Sequence, residues 1–184
     1  KRIVLPEAQD ARVLQAAAEI TRLGYASVTL VGDEQALRRH AGELKADLAG
    51  VEIVNHLSEP RRTAYVERLF QKRQAKGMTR QAADEMLRRE VYYGGMLVAD
   101  GRADGMVVGS ICPTADTVRS ALFSVGTAPG CKTVSSCSIM NTIVPEIGVD
   151  GSIIFADTGV VPEPTIEQLA DIAIAGAGMA RSLL

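Results

Sequence analysis

An alternation of strand and helix signals over the first 54 residues narrows the fold of this chain more than any other feature. Residues 1–5 form a short extended run closed by Pro6. Asp10 then stands as the cap of a helix in which Val13, Ala16, Ala17, Ile20 and Leu23 recur at helical spacing. Gly24 ends that helix, residues 27–31 read as a second strand, Gly32-Asp33 turns into a helix over residues 34–40, and residues 51–54 read as a third strand. Strands separated by helices cannot pair as hairpins, so they lie parallel and are joined by right-handed crossovers. The expected class is α/β, a parallel sheet between two helical layers.

Three helical stretches follow with no strand between them, at residues 60–76, 79–90 and 91–99, which predicts an excursion from the sheet. Gly77 and Thr79 mark the first break, by a C-terminal glycine and an N-cap. The first stretch is strongly basic, and Arg73 lies at its end just before a glycine, where an arginine can swing into a cleft. Beyond it, residues 115–125 read as helix, Pro129-Gly130 as a hinge, residues 133–140 and 152–156 as strands, and Pro162-Glu163-Pro164-Thr165 as the cap of a last helix from Ile166. This predicts a first α/β domain over residues 1–130 and the beginning of a second over residues 131–184.

Residues 103–119 carry the chemistry. Met106, Val107 and Val108 read as a buried strand delivering the chain to the carboxyl edge of the sheet, where α/β proteins hold ligands. Gly109 permits a turn, and Thr114 is suited to cap a helix starting at Ala115. The free N–H groups of that first turn, with the hydroxyls of Thr114 and Thr117 and the guanidinium of Arg119, compose a site for an anion such as phosphate. A second reading stands beside it: Thr114 only caps the helix, and Arg119 pairs with Asp116 three residues back.

Other chemistries find little support. Net charge is −2 and the pI about 5.8, which argues against broad binding to nucleic acid or a membrane surface. No apolar run reaches bilayer length and no signal peptide opens the chain, so the expected location is cytoplasmic. Cys112, Cys131 and Cys137 lack zinc-ligand spacing and are expected as reduced thiols, and Cys112 has no histidine nearby in sequence to act as its base. Gly176-Ala177-Gly178 follows a helical pattern and lacks the third glycine of a dinucleotide fingerprint. No metal site is expected.

Four pieces of the chain, in order and spacing, resemble the phosphate acetyltransferase family, the phosphotransacetylases. They are Leu5-Pro6-Glu7 with Asp10 and Arg12; Arg73 through Gly77; the run from Ala103-Asp104-Gly105 to Asp116-Thr117-Val118-Arg119; and Phe155-Ala156-Asp157 with Pro162, Pro164 and Gln168-Leu169-Ala170. The resemblance implies an acyltransferase that moves acetyl between coenzyme A and inorganic phosphate. No cofactor is permanently bound, and coenzyme A or acetyl-CoA, acetyl phosphate and phosphate serve as the small-molecule substrates. It also implies a homodimer of isocitrate/isopropylmalate dehydrogenase-like architecture, with two α/β domains flanking a cleft. The family's substrate-binding positions match Arg73 and Arg119, with Ser110, Thr114 and Thr117 in its hydroxyl-rich loop. Family members are nearly twice as long. The catalytic base, a serine-arginine pair and the return of the chain that completes the first domain are expected beyond Leu184, so no catalytic residue is assigned and this chain alone is expected to be inactive. Cys112 stands where members often carry histidine, and Ser120 where proline frequently follows the arginine. Two variants of the reading remain: transfer of a larger acyl group such as butyryl, or a noncatalytic acetyl-CoA sensor like the phosphotransacetylase-like domain of some malic enzymes.

Overall fold

The computed structural model describes residues 1–184, which divide into two compact units, Lys1–Gly126 and Thr127–Leu184. The first begins β1 (Arg2–Leu5), α1 (Ala11–Arg22), β2 (Ser27–Val31), α2 (Glu34–Glu43) and β3 (Glu52–Val54). The excursion follows as α3 (Arg62–Arg73), a 3-10 turn (Gln74–Lys76), α4 (Arg80–Met86) and α5 (Glu90–Ala99), before β4 (Gly105–Met106) and α6 (Thr114–Ser124). All pairings in the sheet are parallel, in the order β3-β2-β1-β4.

Side-chain alternation along the strands divides the core. Leu5, Val28 and Leu30 turn to one face and pack with Leu14 and Ala17 of α1 and Leu37 and Ala41 of α2. Val4, Val31 and Val54 turn to the other and pack with Tyr65, Leu69, Tyr93, Met96 and Leu97 of the excursion. Helices thus cover both faces, as buried parallel strands require. Asp10, Asp33 and Thr79 cap α1, α2 and α4 by accepting the backbone N–H groups of Arg12, Ala36 and Ala82 at 2.9, 2.9 and 3.0 Å, each contribution being about 1 kcal/mol.

The apolar stretch near residue 95 is a helix buried almost all round, since α5 runs between the sheet and α6. Gly95 permits the approach: a Cβ there would stand 2.4 Å from Ser124 Oγ and 2.9 Å from Ser120 Oγ.

Three local expectations are corrected. The strand expected at 106–108 is only Gly105–Met106, and Val107 is 64% exposed. β4 pairs with β1 alone, as the edge strand. The helix expected from Ala115 with a Thr114 cap begins at Thr114, with Pro113 in the cap and the N–H groups of Asp116 and Thr117 on its carbonyl; the ring of Pro113 already holds a φ of −59° there. The strand expected at 133–140 begins later, at Cys137.

The second unit contains β5 (Cys137–Asn141), β6 (Ser152–Ala156) and α7 (Ile166–Leu183). Its strands form an antiparallel pair, and α7 packs against β6. A reciprocal capping box between Thr165 and Gln168 opens α7. After β6, the Asp157 carboxylate accepts backbone N–H groups from Ser136, Gly159, Val160 and Val161 and the Ser136 hydroxyl, joining the loops that flank the pair.

Candidate functional site

Parallel strands deliver their following loops to one edge, and here the ends of β1 and β4 meet. The carboxylate of Glu7, two residues past β1 and 2% exposed, receives the loop after β4. Its Oε2 accepts the N–H groups of Gly109 and Ser110 at 2.7 and 2.8 Å, and its Oε1 those of Ile111 and Cys112 at 2.8 and 2.5 Å. Burial by itself would raise this carboxyl's pKa, but the four backbone donors outweigh it and hold the group below its ordinary value. The loop amides are therefore engaged by an internal anion.

Ser110 is committed as well. Its hydroxyl donates to Asp10, and its carbonyl and hydroxyl oxygens accept from Arg12 Nη2 at 3.0 and 2.9 Å. Arg12 also chelates Asp10, with Nη2 2.6 Å from Oδ2. The Arg12 guanidinium, then the Ser110 hydroxyl, hold the Asp10 carboxyl well below the usual carboxylate range.

At the start of α6, Asp116 joins two arginines. Arg89 Nη2 lies 2.7 Å from its Oδ2 and Arg119 Nη1 2.9 Å from its Oδ1, and the Tyr92 hydroxyl donates to Oδ1 at 3.2 Å. Arg89 foremost keeps Asp116 ionised by lowering its pKa. The pairing of Arg119 with Asp116 anticipated as the second reading is present, while the Arg119 side chain stays 51% exposed and uses Nη1 for that bond. A carboxylate partner orients such a planar fork and leaves it donors for a ligand.

Arg73 approaches the same helix from α3. Its guanidinium carbon sits 3.8 Å from the Phe123 ring centroid, and its buried Nε has no hydrogen-bond partner. Phe123 is one turn beyond Arg119, so Arg73 of α3 packs on α6 one turn further along from the residue that carries the other guanidinium. Thr114 is exposed at the first position of α6, and the Thr117 hydroxyl donates to the Pro113 carbonyl at 3.4 Å.

Of the residues picked from sequence, the structure gathers Arg119, Thr114, Thr117 and Arg73 on α6 or against it and places Ser110 in the loop before it. Of the first-turn amides expected to face an anion, those of Asp116 and Thr117 are taken by the Pro113 carbonyl, and the amides of the preceding loop, Gly109 to Cys112, are taken by Glu7. Sequence reasoning missed Glu7 as the loop's anchor, the Asp10–Arg12–Ser110 cluster, and Arg89. A carboxylate just past a strand end was the one available sign for Glu7; Arg89 lay in a run of charged residues. Cys112 is half-buried, and its thiol points to the Pro113 carbonyl at 3.6 Å. No group of three or more His, Cys, Asp and Glu side chains is placed to hold a metal ion, and no helix is long and apolar enough to cross a membrane.

A parallel α/β unit with Arg12, Arg89 and Arg119, each paired with a carboxylate, around the loop and helix that follow β4 defines an α/β protein with a charged cluster beyond the carboxyl end of that strand. The chain belongs to the phosphate acetyl/butaryl transferase family, which it matches over residues 1–184. It is 44% identical over 176 residues to a phosphate acetyltransferase of Acetivibrio thermocellus, covering 95% of this chain and 52% of the relative. It is 40% identical to that of Clostridium acetobutylicum, covering 100% and 55%. A solved structure titled as a phosphotransacetylase from Streptococcus pyogenes superposes with a TM-score of 0.88 at 35% identity, covering 98% of this chain and 53% of that one. A EutD phosphotransacetylase from Staphylococcus aureus gives 0.84, also at 35% identity and with the same coverage. The chain spans about half the length of these relatives.

Proposed function

We propose that the protein carrying this chain is a phosphate acetyltransferase: acetyl-CoA and inorganic phosphate exchange reversibly with coenzyme A and acetyl phosphate. What supports the reading is the position of Arg119 on α6, held beside Arg89 by their shared partner Asp116, with Arg73 of α3 stacked on Phe123 one turn further along that helix, in a chain of this family. Arg73 and Arg119, with Thr114 and Thr117, bind the phosphoryl oxygens. Ser110 serves that side through its bonds to Arg12.

In the direction of thioester synthesis, the coenzyme A sulfur attacks the carbonyl carbon of acetyl phosphate. The C–S bond forms, the bond between the carbonyl carbon and the bridging oxygen breaks, and phosphate leaves with that oxygen and the electron pair while the thiol proton passes to a base outside the residues assigned here. Arginines facing the departing phosphate favour that step because negative charge collects on it. The enzyme is cytoplasmic and homodimeric in this reading, residues 131–184 begin its second α/β domain, and the base and serine-arginine pair belong to the half of the family's length that this chain does not span.

The test is a protein of the relatives' full length mixed with coenzyme A and acetyl phosphate, with thioester absorbance followed in time. Saturating growth in acetyl phosphate is expected, and none from the 184-residue chain alone. Tight acetyl-CoA binding without turnover contradicts the reading and marks a sensor; preference for butyryl phosphate contradicts its acyl specificity.

A further inference from the structure

Consecutive backbone N–H groups turned to one point form a concave site that proteins commonly offer to an external anion. In this chain the residues that make such a site, Gly109 to Cys112, are occupied from within by Glu7, across 102 to 105 residues of sequence. Gly109 adopts a φ of +114°, a conformation that side-chain-bearing residues rarely take. The loop's polar backbone thus faces inward, Ile111 projects outward at 54% exposure, and the chain enters α6 directly after Pro113.

We propose that Glu7 is a positioning residue for the phosphate side of the site: by holding the backbone of Gly109 to Cys112 it fixes the start of α6 and, through it, the place of Arg119. The inference rests on the functional reading above. It assigns substrate contact to side chains rather than to loop amides, because those amides already have an acceptor. Glu7 acts through Arg119 and touches no substrate itself.

Two substitutions separate this role from a general contribution to folding. Glu7→Gln keeps the shape but replaces one acceptor oxygen with an NH2 group that confronts two of the loop's N–H groups. Glu7→Asp keeps the charge and shortens the reach, so it restores part of the cradle. In the full-length protein, Glu7→Gln is expected to raise the KM for acetyl phosphate by roughly tenfold to a hundredfold, as misplacement of a binding group does. The KM for coenzyme A should stay within about twofold, a separation that follows from one side of the site moving. Glu7→Asp should fall between Gln and wild type. Amide hydrogen exchange at residues 109–112 should be slow in wild type and fast in the Gln variant.

An unchanged KM for acetyl phosphate alongside accelerated exchange overturns the proposal, since the loop would then have loosened without consequence. Equal rises in both KM values, with no rescue by Asp, overturn it too. A wild-type protein that forms no thioester overturns the functional reading and this inference together, whereas an active wild type with an unmoved Gln variant overturns this inference alone.

Discussion

Asp104 ties β1 to β4 at their amino ends. It accepts the Arg2 backbone N–H at 2.8 Å and the Arg2 guanidinium at 2.9 Å. The guanidinium hydrogen bond, then the backbone one, bring its pKa from an ordinary 3.8 down to about 2. A carboxyl depressed in the folded state stabilises the fold above its unfolded pKa and loses that contribution as pH falls through the folded value. Asp104→Asn is therefore expected to lower the thermal midpoint, followed by circular dichroism, at pH 5, with the gap from wild type closing between about pH 4 and pH 2. A gap that is constant across that window, or that widens toward acid, contradicts the assignment. Glu7 shows the limit of reading residues from sequence. Its burial and four backbone partners depend on a loop more than 100 positions away, and nothing local to Leu5-Pro6-Glu7 encodes where that loop passes. Arg119 was legible as a candidate because it stands in the helix that follows the hydroxyl-bearing loop, and its pairing with Asp116 was legible as the competing reading because that bond is local; the company of Arg73 and Arg89 was not, since other elements bring them to α6.

Elements whose neighbours are set by their own periodicity were legible. β1, β2 and the capped helices α1 and α2 lie where apolar runs and capping residues placed them, because a strand covered on both faces is mostly apolar and a cap binds its own helix. β4 was overextended because apolar residues alone do not mark where pairing stops: only Gly105 and Met106 form the strand, and Val107 is exposed. The packing of α5 on α6 was also illegible, although it decides where Arg119 projects. Gly95 and the buried hydroxyls of Ser120 and Ser124 make that contact, with Ser120 Oγ donating to the Val91 carbonyl at 2.9 Å. Gly95→Ala forces a methyl into Ser124 Oγ and is expected to destabilise by about 1–3 kcal/mol in urea unfolding. Adding Ser124→Ala should recover part of the loss, whereas additive losses from the two changes would show that the contact is not shared.

At the scale of the molecule, the candidate site belongs to no single element. Arg12 comes from α1, Arg73 from the end of α3, Arg89 from the residue before α5 and Arg119 from α6, all within the unit Lys1–Gly126. The sheet order that joins β1 to β4 brings Glu7 under the loop, and the excursion between β3 and β4 supplies two of the arginines. Fold class was legible because strand–helix alternation admits few topologies; assembly of the arginines was not, because it follows from how the excursion folds back onto α6. The central claim is that this edge binds the phosphate side of an acyl phosphate, and kcat/KM for acetyl phosphate in the full-length protein, wild type against Arg119→Ala, tests it most directly. The account predicts a raised KM and a lowered kcat, with kcat/KM down roughly a hundredfold or more, the scale of losing a preorganised donor to developing charge. An unchanged kcat/KM would contradict it and leave Arg119 as nothing more than the partner of Asp116.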